Sequence, residues 1–374
     1  MAEPVLADRD FPPFPRATRD GFAVRSADLT SISTILRVVG QVKAGSSYPR
    51  LLSDGEAVEI MTGAPLPSGS DAVVMVEYTA RHEDSVEIQR ACAKGENLVP
   101  TGSEAKAGQQ MLPSGTRLDF AHIAVAAAVG MSYLAVYKKP RVAILSTGDE
   151  LVELAEKPRV HQIRNSNSYS LAAQVLACGG EPFQLPIAPD DAARTKALIL
   201  EALEADLLLI SGGVSMGKFD LVEQALSELG AEFFFTGVSI QPGRPVVFGQ
   251  VTNPSSQTTI PFFGLPGNPV STMVTFELFA SSVLRALGGA LPVRLTTAKA
   301  RLVKEIKTKT GLTRFLPAIL SGGLYDPQVE VVAWQGSGDL QASARANCYV
   351  VVPPDRESIM AGEMISILMR SCPN

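Results

Sequence analysis

Apolar and polar positions along this chain fall into three successive patterns. From Ile35 to about Leu118 the apolar residues come in short runs, Leu36–Val39, Ala57–Met61, Ala72–Val76 and Val86–Ile88. Gly, Pro and Ser clusters separate them, which predicts a small all-β domain. A stiff proline-rich entry, Phe11–Pro15, precedes it and leads into Arg19–Val24. At Arg141 the pattern changes. Arg141–Ser146 is a continuous apolar run, as expected of a parallel strand covered on both faces. It is followed by a predicted helix at Ser168–Ala177, a helix at Ala192–Glu204, a strand at Asp206–Ile210 and a helix at Asp220–Leu229. A strand at Pro261–Leu265 and a helix at Val270–Leu287 complete the series. Repeated β-α-β order predicts a doubly wound, mostly parallel sheet. After Gly288-Gly289 the runs Val329–Trp334 and Cys348–Val352 predict a small C-terminal β-barrel.

Between the first two patterns, Phe120–Tyr137 holds no Asp, Glu, Lys or Arg. It is Ala-rich and shorter than the roughly 20 strongly apolar residues of a membrane span. Asp119 as N-cap and Gly130 as the stop predict a helix, apolar nearly all round and therefore buried, with a short strand at Tyr133–Val136 after it. The expected fold class is thus α/β multidomain, with a central doubly wound sheet, an N-terminal all-β domain and a C-terminal small β-barrel. The expected parts are an extended entry and β domain at 1–108, a helical connector at 109–137, an α/β domain at 138–288 and a barrel at 289–374.

Composition narrows the chemistry. A net charge of −5 without a basic block points away from nucleic acid, so an anion site must rest on local donors. The four cysteines form no CxxC pair and the three histidines are scattered, so no zinc spacing exists. Few cysteines and no basic-apolar leader at Met1–Pro4 fit a reducing, cytoplasmic setting.

Ligands of open α/β sheets bind beyond the carboxyl ends of the strands, and four loops are predicted there. Thr147, Gly148, Asp149 and Glu150 follow the first strand. Ser211, Gly212, Gly213, Ser215, Lys218 and Asp220 follow the second. Pro266, Gly267 and Asn268 follow the third, and Gln241–Pro245, with Arg244, forms the fourth. Glycines let main-chain N–H groups approach a phosphate, and Lys218 and Arg244 add charge. Asp149, Glu150 and Asp220 would repel such a ligand unless a divalent cation such as Mg²⁺ bridged them.

Taken in order, these motifs resemble the molybdopterin molybdenumtransferases, the MoeA type related to the gephyrin E domain. The resemblance runs from about Phe11 to the C-terminus. It rests on Pro12-Pro13-Phe14, Asp20–Arg25, Met61–Pro65, Asp71–Val74, Ser146–Glu150, Ser211–Ser215, Pro242-Gly243 and Gly264–Pro269. It implies a four-part elongated subunit that usually forms a homodimer and acts as an Mg²⁺-dependent transferase. The implied reaction inserts molybdenum from molybdate into adenylylated molybdopterin and releases AMP, with a molybdopterin adenylyltransferase as possible partner. By matched position, Asp20, Thr62, Glu150 and Asp220 are the catalytic candidates. Glu150 and Asp220 would hold the metal, and Ser337 would join the glycine-loop residues on the ligand. The chain departs from the family pattern at Gly237 and Gln241, where lysines are usual. It departs also at Glu104, Leu312 and Pro317, and in lacking a helical segment before Phe11. These departures motivate the alternative of a non-catalytic molybdopterin carrier or scaffold.

Overall fold

The computed structural model describes residues 1–31, 33–213, 221–290 and 293–370. Its contacts divide into two compact units, Met1–Val136 and Tyr137–Asn374. In the first unit a six-stranded mixed sheet is built from Gly21–Val24, Thr34–Val42, Glu56–Ile60, Ala72–Met75, Thr79–Arg81 and Ser85–Ile88. Side chains alternate across its strands. Phe22, Val24, Leu36, Val74 and Val86 fill one core, whereas Ala23, Val42, Val58, Ile60 and Val73 fill another. Both faces are covered, which explains why the strands read as runs rather than alternations.

The second unit contains the α/β sheet. Its strand order is Glu181–Gln184, Arg141–Ser146, Leu207–Ser211, Thr259–Leu265, Val247–Thr252 and Glu232–Phe235. The first four are parallel, Val247–Thr252 runs against them, and Glu232–Phe235 at the edge pairs antiparallel with it. Ala143, Leu145, Leu208 and Ile210 point to one core, shared with the helices Ala192–Ala202 and Leu221–Glu228. Val142, Ile144, Leu207 and Leu209 point to the other, against Asn167–Ala177 and the long helix that starts at Pro269. That helix, Pro269–Leu287, is long and apolar enough to cross a membrane by length and composition, and just over half of it is buried in this core. Register aligns Ser146 with Ser211 and Ser211 with Leu265, so the three central strands end level.

In the C-terminal part, the strands Thr297–Leu302, Thr313–Gly323, Asp326–Val331, Cys348–Val352 and Met364–Met369 close into a five-stranded barrel around Ala300, Val329, Val350 and Ile367. The predicted strand at Val329–Trp334 ends at Val331.

Two expectations for the connector are corrected. Asp119 does cap a helix, Phe120–Ala128. Its Oδ1 accepts from the Ala121 and His122 N–H groups at 2.9 and 3.2 Å, and Gly130 takes φ 77° just past the helix end. The helix is not buried, however. Phe120 is 88% exposed and Ile123 51%. Tyr133–Val136 forms no strand, because its main chain meets a single rung, Ala2 N–H to Ala135 O at 2.8 Å, rather than a ladder.

Candidate functional site

The level strand ends create a pocket of 390 Å³ lined by Thr147, Gly148, Glu150, Asp190, Gly212, Gly213, Pro245, Pro266, Gly267 and Asn268. All four predicted loops therefore contribute. The fourth arrives from the other direction. Val247 pairs with Gly264 in an antiparallel strand, so the beginning of that strand lies at the edge where the parallel strands end.

Several main-chain groups of these loops are already engaged. Thr147 N–H donates to Ser211 O at 3.0 Å, Gly148 N–H to Ala188 O at 3.1 Å, and Gly212 N–H to Leu265 O at 3.1 Å. The N–H groups of Gly213 and Gly267 have no main-chain acceptor among the described residues. With the N–H groups of Glu150 and Asn268, which also lack an acceptor among the described residues, they are donors left for an anion. Gly212 contributes its turn instead. It takes φ 89°, and a Cβ there would lie 2.8 Å from Thr147 O. Gly213, at φ 64°, would place a Cβ 2.7 Å from Val222 and 2.8 Å from Thr147 Oγ1. Both positions need glycine for backbone and space.

No lysine, arginine or histidine lines the pocket among the described residues, whereas two acids, Glu150 and Asp190, do. Asp190 was not among the predicted residues. The signal for it was weak, because its neighbour Asp191 is the evident cap of the following helix, accepting from Arg194 N–H at 2.7 Å. Asp149 faces this neighbouring loop, its Oδ1 accepting from Asp190 N–H at 3.0 Å. Arg244 is exposed beside the lining residue Pro245. Ser211 is buried at the strand end, with its hydroxyl accepting from Asn167 Nδ2 at 2.7 Å. Ser337 is brought to the third loop through its main chain, where its carbonyl accepts from Val270 N–H at 2.9 Å. Ser215, Lys218 and Asp220 lie outside the described residues.

The remaining two candidates meet in the first unit. Asp20 Oδ1 accepts from Thr62 N–H at 2.6 Å and from Thr62 Oγ1 at 2.8 Å. The Thr62 main-chain N–H, then its hydroxyl, hold the Asp20 carboxyl below the usual carboxylate range. Asp20 opens on a separate pocket of 370 Å³ that also includes Glu59, Met61 and Arg81. No cysteine lines either pocket among the described residues. Burial pushes the Cys92 thiol up to about 12 and Cys348 up to about 11.

Three family models cover the chain in succession. Residues 1–130 match the MoeA N-terminal region (domains I and II), residues 143–286 the "Probable molybdopterin binding domain", and residues 299–369 the MoeA C-terminal region (domain IV). The chain belongs to the MoeA family. It is 35% identical to a molybdopterin molybdenumtransferase of Nostoc over 98% of this chain and 85% of that protein. A protein of the same name from Bacillus subtilis is 32% identical over 99% and 86%. Among solved structures, a molybdopterin biosynthesis MoeA protein of Pyrococcus horikoshii aligns with a TM-score of 0.79 at 29% identity, covering 99% of this chain and 91% of that one. The pocket at the strand ends falls wholly within the stretch matched by the "Probable molybdopterin binding domain".

Proposed function

We propose that this chain is a molybdopterin molybdenumtransferase acting in molybdenum cofactor biosynthesis, and that it takes adenylylated molybdopterin and molybdate and releases AMP. The observation that carries this reading is the pocket itself. Four loops converge on a cavity that presents free main-chain N–H groups and whose flanking side-chain charges are acidic. Gly213 and Gly267 N–H groups suit a phosphate, which needs donors that approach closely without a full charge.

The acids suit Mg²⁺. Among the described residues no group of three or more His, Cys, Asp or Glu could hold a metal alone. That matches a cation that usually takes one or two carboxylates and completes its shell with water and substrate phosphates. Glu150 and Asp220 would hold it, with Asp190 on the same pocket, and when bound it would neutralise the pyrophosphate charge. The protein's own part is positioning: the glycine loops orient the phosphate, and Thr62 keeps Asp20 ionised.

The same reading divides the chain at 1–108, 109–137, 138–288 and 289–374, places it in the cytoplasm and makes it a homodimer that receives substrate from an adenylyltransferase. Exposed Phe120, Ile123, Tyr133 and Val136 in the first unit supply an apolar surface of the kind a dimer covers. Purified protein given adenylylated molybdopterin, molybdate and Mg²⁺ is expected to release AMP. No release with any divalent metal would overturn the transferase reading.

One observation favours the carrier alternative. Arg244 is the only basic residue between Gly237 and Pro245, and Arg314, which pairs in register with Gln241, turns its guanidinium to the Lys309 and Leu312 carbonyls. A carrier would bind molybdopterin without AMP release, and Gly237→Lys with Gln241→Lys would then start turnover. High activity in the unaltered protein would rule the carrier out.

A further inference from the structure

Three residues of one short segment, Asn165, Asn167 and Ser168, touch the ends of all three central parallel strands or the loop that follows. Ser146 Oγ lies 3.1 Å from Asn165 Oδ1 and 2.9 Å from Ser168 Oγ, and Asn165 Nδ2 donates to Ser168 Oγ at 2.9 Å. This buried cluster fixes the end of the first strand. Asn167 serves the other two. Its Nδ2 donates to Ser211 Oγ and to the Gly267 carbonyl, each at 2.7 Å, and those acceptors lie 44 and 100 residues away along the chain.

The sheet explains why a side chain is needed there. Between the second and third strands the last main-chain rung is Gly212 N–H to Leu265 O. Beyond it the loops leave the ladder, yet they stay close, since a Cβ on Gly267 would lie 3.6 Å from Gly212 Cα. A primary amide carries two donors on one nitrogen and no charge, so it can bridge two acceptors without adding to the field of an anion pocket. The Asn167 Oδ1 is buried without a partner among the described residues, so the N–H groups set the orientation of the amide.

Resting on the reading of this pocket as the molybdopterin site, we propose that Asn167 is a positioning residue. Its amide supplies the rung that the ladder lacks and fixes the spacing at which the Gly213 and Gly267 N–H groups meet the ligand phosphate. Asn167→Leu keeps the shape and neutrality but has no donor. Asn167→Asp keeps the shape and can still accept from the Ser211 hydroxyl, but it cannot donate to Gly267.

Amide hydrogen exchange tests the clamp without any ligand. In Asn167→Leu the Gly212 amide is expected to exchange about tenfold faster, the scale of one lost net hydrogen bond, while core amides such as Ile144 stay unchanged. Molybdopterin affinity should fall about tenfold or more on the same scale, with KM rising more than kcat falls. If Asn167→Leu does not fold, Asn167→Asp read by exchange alone must still loosen Gly212. Unchanged Gly212 exchange overturns the clamp. Faster Gly212 exchange with unchanged molybdopterin affinity overturns its role in the site. Wild-type protein that binds no molybdopterin overturns the reading of the pocket instead, and with it the ligand half of the proposal.

Discussion

Two pockets of similar size, 390 Å³ in the α/β domain and 370 Å³ in the N-terminal unit, are built on opposite principles. The first offers main-chain N–H groups held in place by loop geometry, with Glu150 and Asp190 beside them. The second offers side chains, and its acid Asp20 is tuned by the two bonds it accepts from Thr62. A main-chain cradle depends on where the backbone runs, so it should be sensitive to shape. A carboxylate held by side-chain and main-chain donors depends on its charge, so it should tolerate changes of shape nearby but not its own neutralisation.

The sharpest way to break this comparison is Gly213→Val. The glycine sits at φ 64°, where a Cβ would press on Val222 and Thr147. A β-branched residue there costs about 1–3 kcal/mol in strain and displaces one of the free main-chain donors. Molybdopterin binding is expected to vanish and Tm to fall, with equilibrium binding and thermal unfolding as the checks. Binding that survives would show that the cradle is not made of these N–H groups.

A smaller effect is expected from charge alone. Asp20→Asn keeps the shape and the exposed setting but removes the charge. On the proposed reaction, turnover should fall about 10²-fold with Tm unchanged, the scale of one lost electrostatic contact to a transition state. The matching change in the other pocket, Glu150→Gln, should raise the Mg²⁺ concentration needed for half-maximal rate as well as lower the rate. Asp20→Asn should leave that concentration alone. If both variants shift it equally, the two pockets do not differ as argued.

Much of this was legible in the sequence because it depends on local pattern. The run Val142–Leu145 is uniformly apolar because cores lie on both faces of that strand, and the loops after Ser146, Ser211 and Leu265 carry glycines because the backbone must turn and approach closely there. What was not legible depends on pairing across the chain. Asn167 gains meaning only from two acceptors 44 and 100 residues away, and Asp190 only from the sheet that carries Ala188 beside Thr147. The edge strand Val247–Thr252 shows no β-α-β signal because it pairs antiparallel with Thr259–Leu265. The exposed helix Phe120–Ala128 reads as buried because an apolar helix face that is bare has the same sequence pattern as a covered one.

The smallest effect at neutral pH, and the most specific to the N-terminal unit, concerns Glu56. It is buried at the start of the strand Glu56–Ile60, whose far end borders the Asp20 pocket. Arg50 donates to it at 2.8 and 3.1 Å, Ser53 N–H at 3.1 Å and Arg37 at 2.5 Å. The Arg50 guanidinium first, then the Ser53 N–H, bring its carboxyl from 4.5 down to about 2. A value lowered by folding stabilises fully above the unfolded value, and that stabilisation is lost as pH falls toward the folded one. Unfolding followed from pH 5 to pH 2 should therefore show Tm of the wild type dropping through this window. In Glu56→Gln that part of the drop should be missing, whatever the variant's Tm at neutral pH. Identical slopes would mean that the carboxylate is not what anchors this strand, and that the N-terminal pocket rests, like the α/β pocket, on its backbone.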